Sequence, residues 1–287
     1  MTPDPFSLHM PALRSTPVVF SSPHSGRHYA ADFLARSQLD PLTLRSSEDA
    51  FVDDLFAAAP EAGAPLLAAR LPRAWIDFNR APDELDPALV EGVARGGHNP
   101  RVASGLGVVP RVVANGRAIY PGRLTRAEVE ARLHGAWTPY HAALRRLLDE
   151  AMAQFGEAVL IDCHSMPHEA IEAHARPGQS RPEVVLGDRF GAAAGRDVME
   201  RIETAFARAG LRVARNAPFA GAYIAQAYGR PSRRMHVVQV EIDRALYMDE
   251  ARVERRPDFA AFRALIDGVV ADIADLRGSR HLPLAAE

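Results

Sequence analysis

Short apolar runs alternate with amphipathic stretches along the chain. Runs of this length, bounded by turn-forming residues, are typical of buried strands, whereas apolar residues at every third or fourth position are typical of helices. The run from His236 to Ile242 is the clearest strand. The predicted strands are Pro17–Phe20, Leu66–Ala68, Trp75–Asp77, Val159–Ile161, Val184–Leu186, Leu211–Val213 and His236–Ile242.

Helical periodicity fills the segments between several of these strands. Thr125 and Glu128 form a capping-box pattern, which predicts the start of a helix, and Gly156 predicts its end. Pro139 lies inside this segment and should kink the helix. The predicted helices follow Ser46 or Ser47, run from Thr125 to Gly156, run from Val198 to Gly210, and run from near Pro257 to Leu276.

The order of strand, helix and strand predicts an α/β fold with helices on both faces of a mixed and mainly parallel sheet. We expect one domain that spans residues 1–287. A Gly- and Pro-rich region at 82–122 interrupts the pattern and predicts a long irregular excursion. Right-handed crossovers place the loops after the parallel strands along one edge of the sheet, where ligands of open α/β sheets bind.

Composition and charge narrow the class of partner. The chain has 287 residues, 47% hydrophobic and 24% charged, and its 34 basic and 36 acidic residues give a formal charge of -2. This balance gives no electrostatic reason to expect nucleic acid or an anionic membrane, and it favours a small polar substrate. No apolar stretch approaches the ~20 residues that cross a bilayer, so we expect a cytoplasmic protein. The single cysteine, Cys163, excludes a disulfide within the chain.

Two histidines stand directly after predicted strands and are candidate metal ligands. His24 lies in a Pro-His-Ser-Gly segment, and His164 lies in an Asp-Cys-His-Ser segment. A catalytic zinc site takes three protein ligands, often including a carboxylate, and leaves a position for water. Glu48 and Asp49, at the start of the next helix, both offer that carboxylate, and the residues alone do not choose between them. The structural alternatives are a loop histidine that hydrogen-bonds a backbone group and acidic residues that complement a helix dipole.

The Asp-Phe-Asn-Arg segment and a later glutamate supply candidate groups for substrate binding and catalysis. Asn79 and Arg80 can hold a substrate carboxylate through the amide and the bidentate guanidinium. Arg73 can polarise the scissile carbonyl, with a structural salt bridge to a nearby aspartate as the alternative. Glu241 occupies a position in a buried strand where burial raises a carboxyl pKa, as a general base beside a metal-bound water requires.

Other catalytic motifs are missing from the sequence. The chain contains neither the Gly-x-Ser-x-Gly nucleophile elbow nor the Gly-x-x-x-x-Gly-Lys-Ser/Thr phosphate loop, so serine-hydrolase and P-loop interpretations lose their main support. Cys163 is better interpreted as a small core hydrophobe than as a nucleophile.

The motifs found, taken in order, resemble the N-formylglutamate amidohydrolase family from about residue 18 to residue 250. That family is related to the zinc carboxypeptidases and to aspartoacylase, whose Asp-Leu-Asn-Arg motif is similar to Asp77–Arg80. The resemblance rests on the segments Pro23–Gly26, Pro139–His141, Asp162–Ser165, Asn216–Ile224, Tyr228–Gly229, Val238–Glu241 and Leu246–Glu250.

The resemblance implies a zinc-carboxypeptidase-like fold and one zinc ion on His24, Asp49 and His164. It therefore favours Asp49 over the neighbouring glutamate as the third ligand, and it implies that Glu241 is catalytic. The implied reaction is zinc-dependent hydrolysis of the amide bond of an N-formylglutamate-like substrate, which releases formate and the amino acid. The implied biological role is amino-acid degradation, in histidine catabolism.

One departure from the family pattern concerns the choice of substrate. Relatives that act on formylglutamate tend to have Gly-Gly-Tyr-Ile-Thr-Arg-His-Tyr-Gly where this chain has Gly-Ala-Tyr-Ile-Ala-Gln-Ala-Tyr-Gly. Tyr223 and Gln226 are the predicted substrate contacts of this segment, and Gln226 lacks the charge of the family's arginine. We expect a weaker preference for N-formylglutamate over neutral N-formyl amino acids, unless Arg123 or Arg230 supplies the charge.

The sequence thus predicts a metal-dependent amidohydrolase with a small carboxylate-bearing molecule as its partner. One alternative is a deacylase or carboxypeptidase that acts on a different N-acyl amino acid. A second alternative, from another class, is a catalytically idle homologue that only binds a small molecule. The sequence leaves a homo-oligomer open.

Overall fold

A seven-stranded mixed sheet organises the fold in this computed structural model, which describes residues 4–94, 99–172 and 181–275. The spatial order of the strands is β1-β3-β2-β4-β7-β5-β6. The strands are β1 (Phe6–His9), β2 (Val18–Ser22), β3 (Leu66–Ala69), β4 (Ala158–Met166), β5 (Val184–Gly187), β6 (Val213–Arg215) and β7 (Met235–Asp243).

The centre of the sheet is parallel, and antiparallel pairings occur towards both edges. Strands β3, β2, β4 and β7 run in the same direction, whereas β1 is antiparallel to β3 and β5 is antiparallel to β7. The predicted α/β class with a mixed, mainly parallel sheet is therefore confirmed. Because β2, β4 and β7 are parallel, their carboxyl ends meet at one edge of the sheet.

Helices cover both faces of the sheet, so alternate strand residues enter different cores. Val18 and Phe20 of β2 pack into one hydrophobic cluster, and Val19 between them packs into another on the opposite face. The helices are α1 (Ala31–Arg36), α2 (Pro41–Arg45), α3 (Val52–Leu55), α4 (Pro100–Ala103), α5 (Arg126–Arg132), α6 (Thr138–Phe155), α7 (His168–Glu172), α8 (Arg196–Arg208), α9 (Tyr223–Tyr228) and α10 (Phe259–Ala274). Helices α3, α8 and α10 contribute to the first cluster, and α6 and α9 contribute to the second.

Local capping signals predicted several helix ends correctly. Thr125 and Glu128 form the capping box that opens α5, and Gly156 ends α6 in the left-handed conformation with φ 69°. A π-helical turn at Leu133–Trp137 separates α5 from α6, with Pro139 in the first turn of α6. This π-helical turn accommodates the missing N–H of Pro139, so the helical segment changes its geometry there and does not end.

Three element predictions need correction or restriction. The apolar run Trp75–Asp77 is a turn rather than a strand, since the Trp75 and Ile76 amides donate to the Pro72 carbonyl. Ile76 is fully buried in a core cluster, so its packing accounts for an apolar residue here without any strand pairing. The helix expected after Ser46 or Ser47 is only the short α3, because Phe51 takes a left-handed φ of 65° at its start. Leu276 lies outside the described residues.

The region 82–122 is irregular where it is described, with α4 and a 3-10 turn at Ala114–Gly116 as its helical elements. It is nevertheless anchored by a hydrophobic cluster that includes Val109, Val113 and Ile119. Within the described ranges, no helix combines the length and the apolar character needed to cross a membrane.

Candidate active site

His24 is delivered to the sheet edge by the turn that follows β2. Gly26 in this turn lies directly against the neighbouring chain, since a Cβ added to it would stand 2.0 Å from the Leu71 carbonyl oxygen. Only glycine permits that approach, which holds the turn close to the sheet and buries His24. The His24 carbonyl in turn accepts the Asp49 amide proton at 3.0 Å, so the two candidate ligands are fixed to each other through the backbone.

His24, Asp49 and His164 converge on one point. Their ligand-capable atoms all lie within 4.8 Å of one another, and all three residues are buried. Asp49 Oδ2 lies 2.9 Å from His164 Nδ1 and 3.3 Å from His24 Nδ1. Ligand atoms around a tetrahedral zinc ion are roughly 3.4 Å apart, so this arrangement fits the group that the sequence predicted.

The outer nitrogens of both imidazoles face carboxylates. His24 donates from Nε2 to Asp77 Oδ1 at 2.7 Å, and His164 Nε2 lies 3.1 Å from Asp162 Oδ2. These contacts leave each Nδ1 facing the shared point, as carboxylate–histidine–metal arrangements require. His24 Nδ1 is buried and has no hydrogen-bond partner among the described residues, which fits a metal-binding role for this nitrogen.

The charges around this point favour a positive group. Burial acts to lower the pKa of His164, but Asp162 and Asp49 outweigh it and hold that pKa well above the usual value. Burial likewise acts to raise the pKa of Asp49, and its contacts with His164 and His24 hold that pKa well below the usual range. A surrounding that stabilises a proton on His164 also stabilises another cation in the same place.

Glu48, the alternative third ligand, is engaged elsewhere. It accepts hydrogen bonds from the Tyr29 hydroxyl at 2.6 Å and from Arg45 Nε at 3.2 Å. Asp49 therefore joins the two histidines, while its neighbour on the chain stabilises the adjoining loop.

Glu241 lies beside the candidate ligands on the neighbouring strand. It is the register partner of His164 in the parallel pairing of β4 with β7. Gln239, two residues earlier and on the same face of β7, donates to Glu241 Oε1 at 2.8 Å and accepts the Ala222 amide proton. Burial raises the pKa of Glu241 to about 7, and the Asp49 carboxylate acts in the same direction. A carboxyl group with such a pKa can both accept and return a proton near neutral pH.

The Asp-Phe-Asn-Arg segment contributes hydrogen bonds that hold the site together and a guanidinium group with free donors. Asp77 accepts from Arg73 Nε at 3.0 Å as well as from His24. Both polar atoms of the Asn79 amide are engaged, since Oδ1 accepts the Ile224 amide proton and Nδ2 donates to Asp162 Oδ2. Asn79 therefore braces the His164 side of the site, and Arg80 is the member of the pair with unused donors.

Helix α6 holds this segment from behind. His141 Nε2 donates to the Phe78 carbonyl at 2.8 Å, and Trp137 Nε1 donates to the Arg80 carbonyl at 3.0 Å. Tyr140 stacks on the Phe78 ring with 4.3 Å between centroids. These contacts place three side chains, one from the π-helical turn and two from α6, against the segment that carries Asn79 and Arg80.

A cavity of about 570 Å³ opens onto the candidate metal ligands. Its walls include Arg73, Asn79, Arg80 and Glu241, together with part of the 82–122 excursion between Arg101 and Gly116. The excursion therefore forms one side of the site, which accounts for so long an irregular segment in this fold.

Comparison with known proteins agrees with the sequence motifs. The family model described as N-formylglutamate amidohydrolase matches residues 16–248, most of the chain. The chain belongs to the N-formylglutamate amidohydrolase family. The predicted resemblance is thereby confirmed, and the protein is a hydrolase of a linear amide.

Individual members of the N-formylglutamate amidohydrolase family cover nearly the same length. An N-formylglutamate deformylase of Pseudomonas aeruginosa is 33% identical over 257 residues, 87% of this chain and 90% of its own. A second, from Pseudomonas putida, is 30% identical over 237 residues, 82% of each chain. A crystal structure of the N-formylglutamate amidohydrolase from Ralstonia eutropha JMP134 superposes with a TM-score of 0.88 at 36% identity, covering 94% of this chain and 97% of that one.

The two family-motif residues on α9 lie apart from the cavity. Gln226 is exposed, and Tyr223 is half-buried with its ring packed 5.9 Å from the Trp137 ring. Neither is among the described residues that line the cavity. Arg230, one of the two arginines expected to replace the missing charge, donates to the carbonyls of Gln226 and Gly229, while Arg123 donates to the Pro87 and Val90 carbonyls.

Sequence analysis missed a buried arginine that belongs to this amidohydrolase site. Arg244 donates from one terminal nitrogen to Asp49 Oδ1 at 2.9 Å and from Nε to Ser165 Oγ at 3.1 Å. It orients the carboxylate whose other oxygen faces the histidines. Its place directly after the Glu-Ile-Asp end of β7 was the available signal, because that strand end lies at the same sheet edge.

Proposed function

We propose that this chain is a zinc-dependent amidohydrolase that removes the formyl group from N-formylglutamate or a closely similar N-formyl amino acid. The observation that carries the proposal is the convergence of His24 Nδ1, Asp49 Oδ2 and His164 Nδ1 beside Glu241. The names of the relatives in the two Pseudomonas species supply the substrate.

His24, Asp49 and His164 would hold the metal. A zinc ion held by these residues would polarise the amide carbonyl and make water a stronger nucleophile near neutral pH. Glu241 accepts a proton from the water as its oxygen attacks the formyl carbon, and then gives that proton to the departing amine nitrogen. The carbon–nitrogen bond breaks, and formate and the free amino acid are released.

The neighbouring arginines take complementary roles in this proposal. Arg73 keeps Nε on Asp77 and uses its remaining N–H groups to stabilise the oxyanion that forms on the carbonyl. Arg80 uses two of its five N–H groups on the Leu106 and Asn79 carbonyls, which leaves donors for the substrate α-carboxylate. Asn79 contributes by fixing His164 through Asp162.

The proposal is tested by assaying purified protein for both products. The metal-stripped protein and the protein reloaded with zinc are each incubated with N-formyl-L-glutamate, N-acetyl-L-glutamate and N-formyl-L-alanine, and formate or acetate and free amino acid are measured. We expect hydrolysis of the formyl compounds by the zinc-loaded protein alone. Faster release of acetate than of formate would favour a deacylase of other N-acyl amino acids, and binding without product would indicate an idle homologue.

A further inference from the structure

One arginine of the cavity wall has no role in the proposed binding and catalysis described above. Arg73 forms an ion pair with Asp77, and Arg244 forms an ion pair with Asp49. Arg101 also lines the cavity, yet its guanidinium forms no hydrogen bond and no ion pair with any residue that the structure describes. A carboxylate that enters the cavity can therefore bind Arg101 without displacing a protein contact.

The backbone of Arg101 is fixed although its side chain is free. Its amide donates to Asn99 Oδ1 at 3.0 Å, and its carbonyl accepts the Leu106 amide proton at 2.8 Å. These bonds hold α4 against the loop that also receives Arg80, since Arg80 Nε donates to the Leu106 carbonyl. The two arginines are thus anchored to the same short loop.

Arg80 and Arg101 differ in depth, which gives the cavity an inner and an outer cation. Arg80 is 5% exposed, whereas Arg101 is exposed. Burial lowers the pKa of Arg80, and the charge of Arg101 acts in the same direction. Asp77 and Glu84, the latter 3.8 Å from Arg80, are the carboxylates whose charges act on Arg80, whereas the Arg101 guanidinium has no ion-pair partner among the described residues, so an additional anion is favoured beside Arg101.

An acidic N-acyl amino acid needs two such cations. Its α-carboxylate is attached to the carbon that bears the scissile amide nitrogen, so it must bind near the catalytic groups. Its side-chain carboxylate lies further out, beyond the methylene groups. Gln226 is uncharged and exposed, and Arg123 and Arg230 are bonded to backbone carbonyls away from the described cavity lining.

We propose that Arg101 binds the side-chain carboxylate of an N-acylated acidic amino acid while Arg80 holds the α-carboxylate. Arg101 is then the specificity-determining residue for an acidic side chain, and it supplies from the excursion the charge that α9 lacks in this chain. This inference rests on the proposed function for the identity of the reacting bond.

The test compares N-formyl-L-glutamate with N-formyl-L-glutamine, which has nearly the same shape without the side-chain charge. For Arg101→Gln we expect kcat/KM on N-formyl-L-glutamate to fall roughly 10- to 100-fold, mainly through KM, as loss of a charge-assisted hydrogen bond implies. Activity on N-formyl-L-glutamine should stay within about twofold. Arg101→Glu should reverse the preference between the two substrates. Arg230→Gln removes a charge outside the cavity lining and should leave kcat/KM on both substrates unchanged.

A binding measurement separates this inference from the proposed reaction. The same two compounds are titrated calorimetrically into Glu241→Gln protein with and without Arg101→Gln. Loss of affinity confined to the glutamate compound supports the Arg101 subsite even if the wild-type protein hydrolyses neither compound. An equal loss for both compounds, an unchanged preference in Arg101→Gln, or loss of the preference in Arg230→Gln would overturn it.

Discussion

His164 and Glu241 face each other as register partners on two neighbouring parallel strands. The hydrogen-bonded ladder between β4 and β7 therefore sets the distance between a candidate metal ligand and the candidate general base. Gln239, which donates to Glu241 Oε1, adds a side-chain restraint on the same face of β7. Neither group depends on a flexible loop for its position, which is the preorganisation that proton transfer requires.

Replacing Glu241 with glutamine tests its role as the base. The substitution keeps the shape and removes the proton acceptor, so we expect kcat to fall roughly 10²- to 10⁴-fold. Zinc content, measured by atomic spectrometry on the same preparation, should be unchanged. Near-normal turnover would rule out the assigned role, and a parallel loss of zinc would mean that Glu241 is a ligand.

The carboxylate behind His24 should control metal affinity. Asp77→Asn weakens the acceptor for His24 Nε2–H at 2.7 Å, so the imidazole loses its orientation and part of its basicity. We expect zinc affinity, measured by competition with a chelator, to fall roughly 10- to 100-fold. Asp83→Asn, an exposed aspartate nearby, is the matched control and should bind zinc like the wild type.

Arg80→Lys separates charge from geometry in substrate binding. Lysine keeps the positive charge and loses the planar fork, so KM for N-formyl amino acids should rise roughly 10-fold or more while kcat changes less. An N-formyl alkylamine, which has no α-carboxylate, should show no such change in KM. A comparable rise for that compound would show that Arg80 acts through the fold, and thermal unfolding of the variant checks this directly.

His141 should make folding stability depend on pH. Burial lowers its pKa from the usual 6.5 to about 4, with the Arg145 charge acting in the same direction. The folded protein therefore binds fewer protons than the unfolded chain between these values, so the stabilising contribution is complete above pH 6.5 and declines as the pH falls towards 4. Between about pH 7.5 and about pH 5 this one group should cost about 2 kcal/mol of unfolding free energy.

Denaturant unfolding at both pH values measures that difference. His141→Gln retains an amide donor for the Phe78 carbonyl and cannot titrate, so its pH dependence should be smaller than that of the wild type by about 2 kcal/mol. Equal pH dependence in the two proteins would show that His141 is not buried in its neutral form.

The sequence by itself determined the strand that leads to His24 and the strands that deliver His164 and Glu241, because hydrophobic periodicity and turn residues act over a few neighbouring positions. Parallel strands bring their carboxyl ends to one edge, so the meeting of these three residues followed from the predicted fold class. The capping box at Thr125 and the glycine stop at Gly156 are likewise local effects, and both were predicted.

The tertiary structure decided what local pattern could not. Glu48 and Asp49 are adjacent carboxylates of equal chemistry. Tyr29 and Arg45 engage Glu48, and Arg244, which is 195 positions from Asp49 in the chain, holds Asp49. The turn at Trp75–Asp77 resembled a strand because burial, rather than strand pairing, made it apolar. Whether a charge at position 101 or a glutamine at position 226 faces the substrate depends on how the long excursion and α9 pack. The Arg80–Leu106 contact of the excursion joins residues 26 positions apart, and the Ile224–Asn79 contact of α9 joins residues 145 positions apart, beyond the reach of sequence periodicity.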